Sequence, residues 1–147
     1  MADPASAASY VKVAAPNVNQ DDLDAVSESL VSGRLTAGPR VAAFEEAFAA
    51  YVGVREAVAV NSGTAALHAA LAAAGVGPGD EVVVPALTFF STVTAVIHAG
   101  GVPVFCDISL DNFCMDPGDL SRCVTPRTRA VLPVHYFGHA AEMEAIN

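Results

Sequence analysis

The spacing of apolar residues along the chain changes character near residue 57. Before that point apolar residues recur at helical spacing, which predicts two helices. They are Leu23, Val26 and Leu30 in the first helix, and Val41, Phe44, Phe48 and Tyr51 in the second. Asn19 and Asp21 can cap the first helix, and the turn formers of Ser32–Pro39 predict a loop between the two helices. Residues 1–15, rich in Ala and Ser, are predicted to form a loose tail.

After residue 57 the pattern becomes short apolar runs that alternate with helical segments. The runs predict strands at 57–60, 82–84, 102–106 and 130–134. Helices are predicted over 63–74, through 93–97 up to Gly100, from Pro117 behind an Asp116 cap, and from 140 to 146. Strands that alternate with helices indicate an α/β domain with a three-layer, mostly parallel sheet.

Composition and charge narrow the classes of function. Hydrophobic residues make up 53 % of the 147 residues, which argues against disorder. The net charge of −9, with seven Lys and Arg residues, excludes a basic surface for nucleic acid. Residues 57–79 and 82–106 carry no charge, but polar residues, Pro or Gly interrupt both, so buried strands and helices are expected rather than membrane spans. The N-terminus has no signal-peptide pattern, and we expect a cytoplasmic protein.

The three cysteines do not form a recognisable ligand pattern. Cys106, Cys114 and Cys123 contain no CxxC pair and have no His at metal-ligand spacing. We therefore expect small buried side chains in a reducing compartment, with no metal site and no disulfide.

A candidate anion site lies between a predicted strand and an Ala-rich helix, at Asn61-Ser62-Gly63-Thr64. The first N–H groups of a helix have no partner within the helix and carry partial positive charge. Gly63 would let a ligand approach the backbone, while Ser62 and Thr64 add hydroxyl donors. The alternative is that Ser62 or Thr64 simply caps the helix.

Two further segments follow predicted strands. Pro85–Phe90 (PALTFF) contains two aromatic residues that either stack on a planar ligand or belong to the core. Pro133–Gly138 (PVHYFG) contains His135, which either contacts a ligand or has a structural role. Ligands of parallel sheets bind at the carboxyl ends of strands, so the three segments together suit a phosphorylated planar aromatic ligand. A nucleotide-binding domain is less well supported, because the GxGxxG fingerprint is absent.

From about Asp21 onward the chain closely resembles the DegT/StrS-type sugar aminotransferases, which are fold-type-I pyridoxal-phosphate (PLP) enzymes. The strings that carry the resemblance are SGRLTAGPRVAAFEEAFAAYVG, AVAVNSGTAALHAAL, GPGDEVVVPALTFFSTVTAV, GGVPVFCDI, DPGDL and TPRTRAVLPVHYFGHAAEMEAI.

The resemblance implies roles for several residues. Ser62, Gly63 and Thr64 would bind the PLP phosphate, and Phe89 would stack on the pyridine ring. The loop with Arg34 and Thr36 would lie near a dimer interface and the substrate entrance. His135 would lie at the rim of the active site, and Asp107 would be structural. The resemblance further implies transfer of an amino group from an amino acid, with glutamate as the donor, to a nucleotide-linked keto-sugar or similar cyclic ketone, in a homodimer.

The chain departs from the family pattern in its lysines. The family places a cofactor-binding lysine after the HxxG motif, whereas the single lysine here is Lys12. We therefore expect residues 16–147 to be the N-terminal part of the PLP-binding large domain and to be inactive alone. Two alternatives stay open: a PLP-dependent sugar dehydratase of the same family, and a non-catalytic module that binds phosphate or PLP.

Overall fold

The structure, a computed structural model, describes residues 14–147. It divides into two units, Met1–Ala57 and Val58–Asn147, the first of which is described from residue 14. The predicted tail lies mostly outside the described residues, and so does Lys12.

The first unit contains the two predicted helices, α1 (Gln20–Val31) and α2 (Pro39–Val52). Asn19 caps α1 in a capping box, where its side chain accepts from the Asp22 N–H and the Asp22 carboxylate accepts from the Asn19 N–H. Asp21, the other predicted cap, lies inside the first turn of the helix. Pro39 occupies the first turn of α2, where its missing N–H costs little. Gly53 ends α2 with φ of +77°, a left-handed conformation that favours glycine.

The second unit follows the predicted order of strands and helices. Its helices are α3 (Gly63–Ala73), α4 (Phe90–His98), α5 (Pro117–Cys123) and α6 (Met143–Ile146), with a 3₁₀ turn at Tyr136–Gly138. Its strands are β1 (Glu81–Pro85), β2 (Val102–Cys106) and β3 (Thr128–Val131). They form a parallel sheet in the order β2-β1-β3. This confirms the predicted α/β class and parallel pairing.

Side chains that alternate along β1 build two hydrophobic clusters, one on each face of the sheet. Val82 and Val84 pack with Leu71 of α3 and with Ala95 and Val96 of α4. On the other face, Val83 packs with Cys106, Met115 and Leu120, the last of which belongs to α5. Helices therefore cover both faces, as the three-layer prediction requires, and all five β1 residues are buried because β1 is the central strand.

Three sequence predictions need correction. No strand forms over 57–60, because neither β1, β2 nor β3 supplies a ladder of backbone hydrogen bonds to this segment. β3 starts two residues early and ends before Pro133, which has no N–H to donate. The last helix starts at Met143 rather than at residue 140. None of the helices among residues 14–147 is long and apolar enough to cross a membrane.

The amino end of the sheet is closed by a buried carboxylate. Glu81, only 7 % exposed, accepts a hydrogen bond from the Thr125 hydroxyl (2.5 Å) and pairs with the Arg127 guanidinium. The Thr125 hydrogen bond and then Arg127 lower the pKa of Glu81. Nearby, Arg129 Nε donates to the carbonyl of Ala74 at the end of α3 (2.9 Å). These polar contacts fix the start of β1 and β3 and the C-terminal end of α3 at one edge.

Candidate functional site

The turn formed by Asn61-Ser62-Gly63-Thr64 (the Ser62 turn) starts α3 and leaves backbone N–H donors available. Ser62 caps the helix, since its Oγ accepts from the Ala65 N–H at 3.2 Å, and the Ala66 N–H reaches the Ser62 carbonyl at 3.0 Å. Among the described residues, no acceptor is found for the N–H groups of Gly63 and Thr64. As a donor, the Ser62 hydroxyl makes only a long contact, 3.5 Å, to Asn61 Oδ1. This turn can therefore offer two backbone donors and one hydroxyl to an anion.

Gly63 keeps the approach to these donors open. Apart from its chain neighbours and the backbone of its own helix, a Cβ at this position would meet no atom of the described residues within 4 Å, and Gly63 does not adopt a positive φ. The fold itself therefore places no demand for glycine here. A requirement for glycine at this position would have to come from a bound ligand that approaches the backbone closely.

Phe89 lies between β1 and α4 and is largely exposed. It is the N-cap residue of α4 with extended backbone, and 67 % of its side chain surface is accessible. Its ring lies 4.5 Å from that of Phe90, at an interplanar angle of 43°. The alternative in which both Phe residues are core is wrong for the described residues, because Phe90 is also 67 % exposed. An exposed ring here can stack on a planar ligand.

His135 follows β3 and is exposed, and one of its ring nitrogens is already used. Nδ1 accepts a hydrogen bond from the Ala141 N–H at 3.0 Å. This contact assigns the ring proton to Nε2, which leaves an N–H donor directed away from Ala141. His135 therefore has both a structural contact and a donor that a ligand could use.

The topology brings these three segments to the same edge of the sheet. Phe89 follows the carboxyl end of β1, and His135 follows that of β3, the adjacent strand. The short connection 75–80 leads from the end of α3 to the start of β1, so the Ser62 end of α3 lies toward the opposite, carboxyl edge. Within Val58–Asn147, anion donors, an exposed aromatic ring and an imidazole donor thus share the edge where parallel sheets bind ligands.

Arg34 and Thr36 belong to the first unit. Both are exposed in the loop between α1 and α2 and line an open cavity of about 590 Å³ with Leu35 and Gly38. The Arg34 guanidinium forms no ion pair with the described residues, whereas Arg40 at the same cavity pairs with Glu28. Arg34 is thus the cationic group of this cavity that remains available to an anionic ligand.

One cluster of side chains was not predicted from the sequence. Cys106, Asp119 and Cys123 place their ligand atoms within 4.8 Å of one another, although 13 residues separate the first two along the chain. No local spacing could have revealed this, because β2 carries Cys106 and α5 carries the other two. All three cysteines are free thiols. Cys106 and Cys114 are buried, as predicted, whereas Cys123 is only half-buried.

Known proteins resemble this chain over most of its length. The sequence profile of the DegT/DnrJ/EryC1/StrS aminotransferase family matches residues 16–147. The spore coat polysaccharide biosynthesis protein SpsC of Bacillus subtilis is 49 % identical over 93 % of this chain and 35 % of its own length. GDP-perosamine synthase of Caulobacter vibrioides is 42 % identical over 92 % of this chain and 37 % of its own.

The fold has solved counterparts too. The structure of NtdA from Bacillus subtilis with bound cofactor PMP superposes with a TM-score of 0.81 at 40 % identity, covering 84 % of this chain and 28 % of NtdA. This chain spans about a third of the length of the curated relatives. Because the family profile covers nearly the whole chain, the chain belongs to the DegT/DnrJ/EryC1/StrS aminotransferase family.

Proposed function

We propose that this chain supplies the phosphate-binding part of a PLP-dependent aminotransferase. The reaction would move an amino group from an amino acid, glutamate by family resemblance, to a nucleotide-linked keto-sugar or a related cyclic ketone. The observation that carries the proposal is the Ser62 turn, where a helix N-terminus with available donors shares a sheet edge with the exposed ring of Phe89. A phosphate and an aromatic ring on one ligand would use both.

The residues of the chain fit the cofactor in the following way. The Gly63 and Thr64 N–H groups and the Ser62 hydroxyl would hold the phosphate, whose negative charge the α3 dipole favours. Phe89 would hold the pyridine ring in a fixed plane and exclude water from one of its faces. When bound, PLP supplies the electron sink on which amino-group exchange depends. The Nε2–H of His135 would donate to an acceptor at the rim.

The names of the relatives support the class of substrate and cofactor. GDP-perosamine synthase is named for a nucleotide-linked sugar, and the NtdA structure contains PMP. Arg34 and Thr36 are proposed to line the substrate entrance, where a guanidinium suits the phosphates of a nucleotide. We further propose that the protein is a cytoplasmic homodimer that binds small molecules and neither nucleic acid nor membranes.

A direct test of the phosphate site compares pyridoxamine phosphate with pyridoxamine by isothermal titration of the chain. Neither compound carries an aldehyde, so a reaction with Lys12 does not complicate the measurement. Hydrogen bonds to a charged group contribute about 1.5–3 kcal/mol each, so we expect pyridoxamine to bind at least about tenfold more weakly. Equal affinity for the two compounds would contradict the phosphate role of the Ser62 turn.

The activity itself is tested on the complete product of the gene that encodes this sequence. We expect formation of 2-oxoglutarate from glutamate that depends on a nucleotide-linked keto-sugar, together with an aminated sugar detected by mass spectrometry. A dehydrated sugar without nitrogen would instead assign the protein to the dehydratase alternative. Neither product, from a protein loaded with PLP and tested on several keto-sugars, would contradict the proposed substrate class.

A further inference from the structure

Two thiols and a carboxylate meet on the face of the sheet that α5 covers. Cys106 is the last residue of β2 and is fully buried, while Asp119 and Cys123 are half-buried and lie four residues apart on α5. Residues at this spacing share one side of a helix. The two sulfur atoms and a carboxylate oxygen all lie within 4.8 Å of one another. This face is opposite to the one that packs on α3 and α4.

The hydrogen bonds of the two thiols are long. Cys123 Sγ donates to Asp119 Oδ2 at 3.6 Å and approaches the Phe105 carbonyl at 3.5 Å. Cys106 Sγ reaches the Asp116 carbonyl at 3.6 Å. A thiol is a weak donor, so replacing these contacts costs little.

The carboxylate, by contrast, is held firmly in place. Asp119 Oδ2 accepts from the Asp107 N–H at 2.6 Å, and Oδ1 accepts from Arg122 Nη2 and Nε at 2.7 and 3.1 Å. The Asp107 N–H and then Arg122 lower the pKa of Asp119. Hydrogen bonds of this kind, made to a ligand from outside the metal shell, orient carboxylates at metal sites.

We propose that Cys106, Cys123 and Asp119 bind a thiophilic divalent cation, with Zn²⁺ as the representative. In tetrahedral zinc sites with Zn–S bonds of about 2.3 Å, two sulfur ligands lie about 3.7 Å apart. The sulfur atoms of Cys106 and Cys123 lie within 4.8 Å, so they would have to approach each other by about 1 Å or less. Binding replaces two S–H bonds with two Zn–S bonds and releases two protons to solvent. A water molecule takes the fourth position on the half-exposed side.

The charges of the group suit a divalent ion. Two thiolates and one carboxylate carry three negative charges, and the cation leaves one, which the Arg122 guanidinium beside Asp119 balances. Cys106 and Cys123 are free thiols in the structure rather than a disulfide. The bound ion would join β2 to α5 and would stabilise this side of the sheet. It is independent of the proposed cofactor site.

The test titrates the reduced chain with Co²⁺ and then displaces it with Zn²⁺. We expect one ion per chain and a thiolate-to-cobalt charge-transfer band in the near ultraviolet, which binding to histidines alone does not give. Cys123→Ser and Cys106→Ser should abolish the band. Arg122→Gln, at a side chain 74 % exposed, should weaken affinity about 10- to 100-fold, the range seen for groups that orient metal ligands.

Cys114→Ser is the matched control. Cys114 is as buried as Cys106, but its thiol contacts the His139 carbonyl at 3.4 Å and lies outside the cluster of Cys106, Asp119 and Cys123. This variant should keep both the band and the stoichiometry. A band that survives Cys106→Ser and Cys123→Ser, a band lost with Cys114→Ser, or no binding to the reduced chain would overturn the proposal. Circular dichroism checks that each variant is folded. If Cys106→Ser is unfolded, the proposal is decided by Cys123→Ser, because that side chain is only half-buried.

Discussion

Ser62 can be tested for two roles with three substitutions, because its single oxygen accepts one hydrogen bond and has a hydrogen to donate. The oxygen accepts from the Ala65 N–H at 3.2 Å as the cap of α3. The hydroxyl hydrogen has only the 3.5 Å contact to Asn61 and is available to a phosphate. Ser62→Ala removes both roles, Ser62→Asn keeps the cap and offers an amide donor, and Ser62→Asp keeps the cap but adds a negative charge.

The expected sizes of the effects follow from the contacts. Loss of an N-cap costs about 0.5–2 kcal/mol. In a unit of about 90 residues, each kcal/mol corresponds to roughly 4–8 °C in Tm. Loss of a hydrogen bond to phosphate costs about 1.5–3 kcal/mol, or about 10- to 150-fold in affinity. Ser62→Ala should therefore lower both Tm and affinity, whereas Ser62→Asp should keep Tm and bind phosphate most weakly, because like charges repel.

Thermal unfolding followed by circular dichroism measures the first role, and titration with pyridoxamine phosphate measures the second. Asn and Asp differ by little more than charge, so their comparison isolates the anion site from the cap. Equal affinity in the Asn and Asp variants would refute the phosphate role of Ser62. Unchanged Tm in Ser62→Ala, in contrast, would refute the capping role.

Three other changes test neighbouring features. Gly63→Ala should leave Tm unchanged or raise it, because the added Cβ meets open space and Ala favours the helix. The same variant should bind pyridoxamine phosphate more weakly. An unchanged affinity would mean that no ligand approaches this backbone. Leu71→Ala, at a side chain 4 % exposed between α3 and β1, should cost about 2–5 kcal/mol in urea unfolding, and a cost below about 1 kcal/mol would mean that α3 does not pack on the sheet as described. Because the pKa of Glu81 is lowered in the folded state, its ionised carboxylate stabilises the fold above about pH 4.5, and this contribution is lost as the pH falls through the folded-state pKa. Glu81→Gln should therefore make the urea unfolding midpoint fall less steeply at acidic pH. An unchanged acidic pH dependence would contradict the Glu81–Arg127 pairing.

Features that depend on neighbouring residues were predictable from the sequence. Asn19 caps α1 and Asp116 caps α5, as predicted, because a cap needs only a side-chain oxygen within three residues of the N–H that it accepts. β2 has the predicted bounds, 102–106. The parallel α/β class followed from the alternation of apolar runs and helices, which reflects burial on both faces of the sheet.

Features that depend on distant residues were not predictable in this way. The apolar run 57–60 has the composition of a strand, but a strand also needs a paired neighbour, and composition does not supply one. The order β2-β1-β3 is a matter of long-range pairing, and so is the meeting of Cys106 with Asp119 and Cys123. Local patterns predict elements, whereas contacts between elements decide which side chains share a site.

The two edges of the sheet have different chemistry, and this separation bears on how the candidate site could change. The amino edge has a buried carboxylate, Glu81, whose hydrogen bonds to Thr125 and Arg127 are made within the fold. The carboxyl edge presents exposed groups, Ser62 and Phe89, whose donors and ring surface have few contacts within the fold. Substitutions at the amino edge should therefore act on stability, and those at the carboxyl edge on ligand binding, since each side chain can lose only the interactions that it makes. Ser62 is the exception, because its oxygen caps α3 while its hydroxyl hydrogen would be donated to the proposed phosphate.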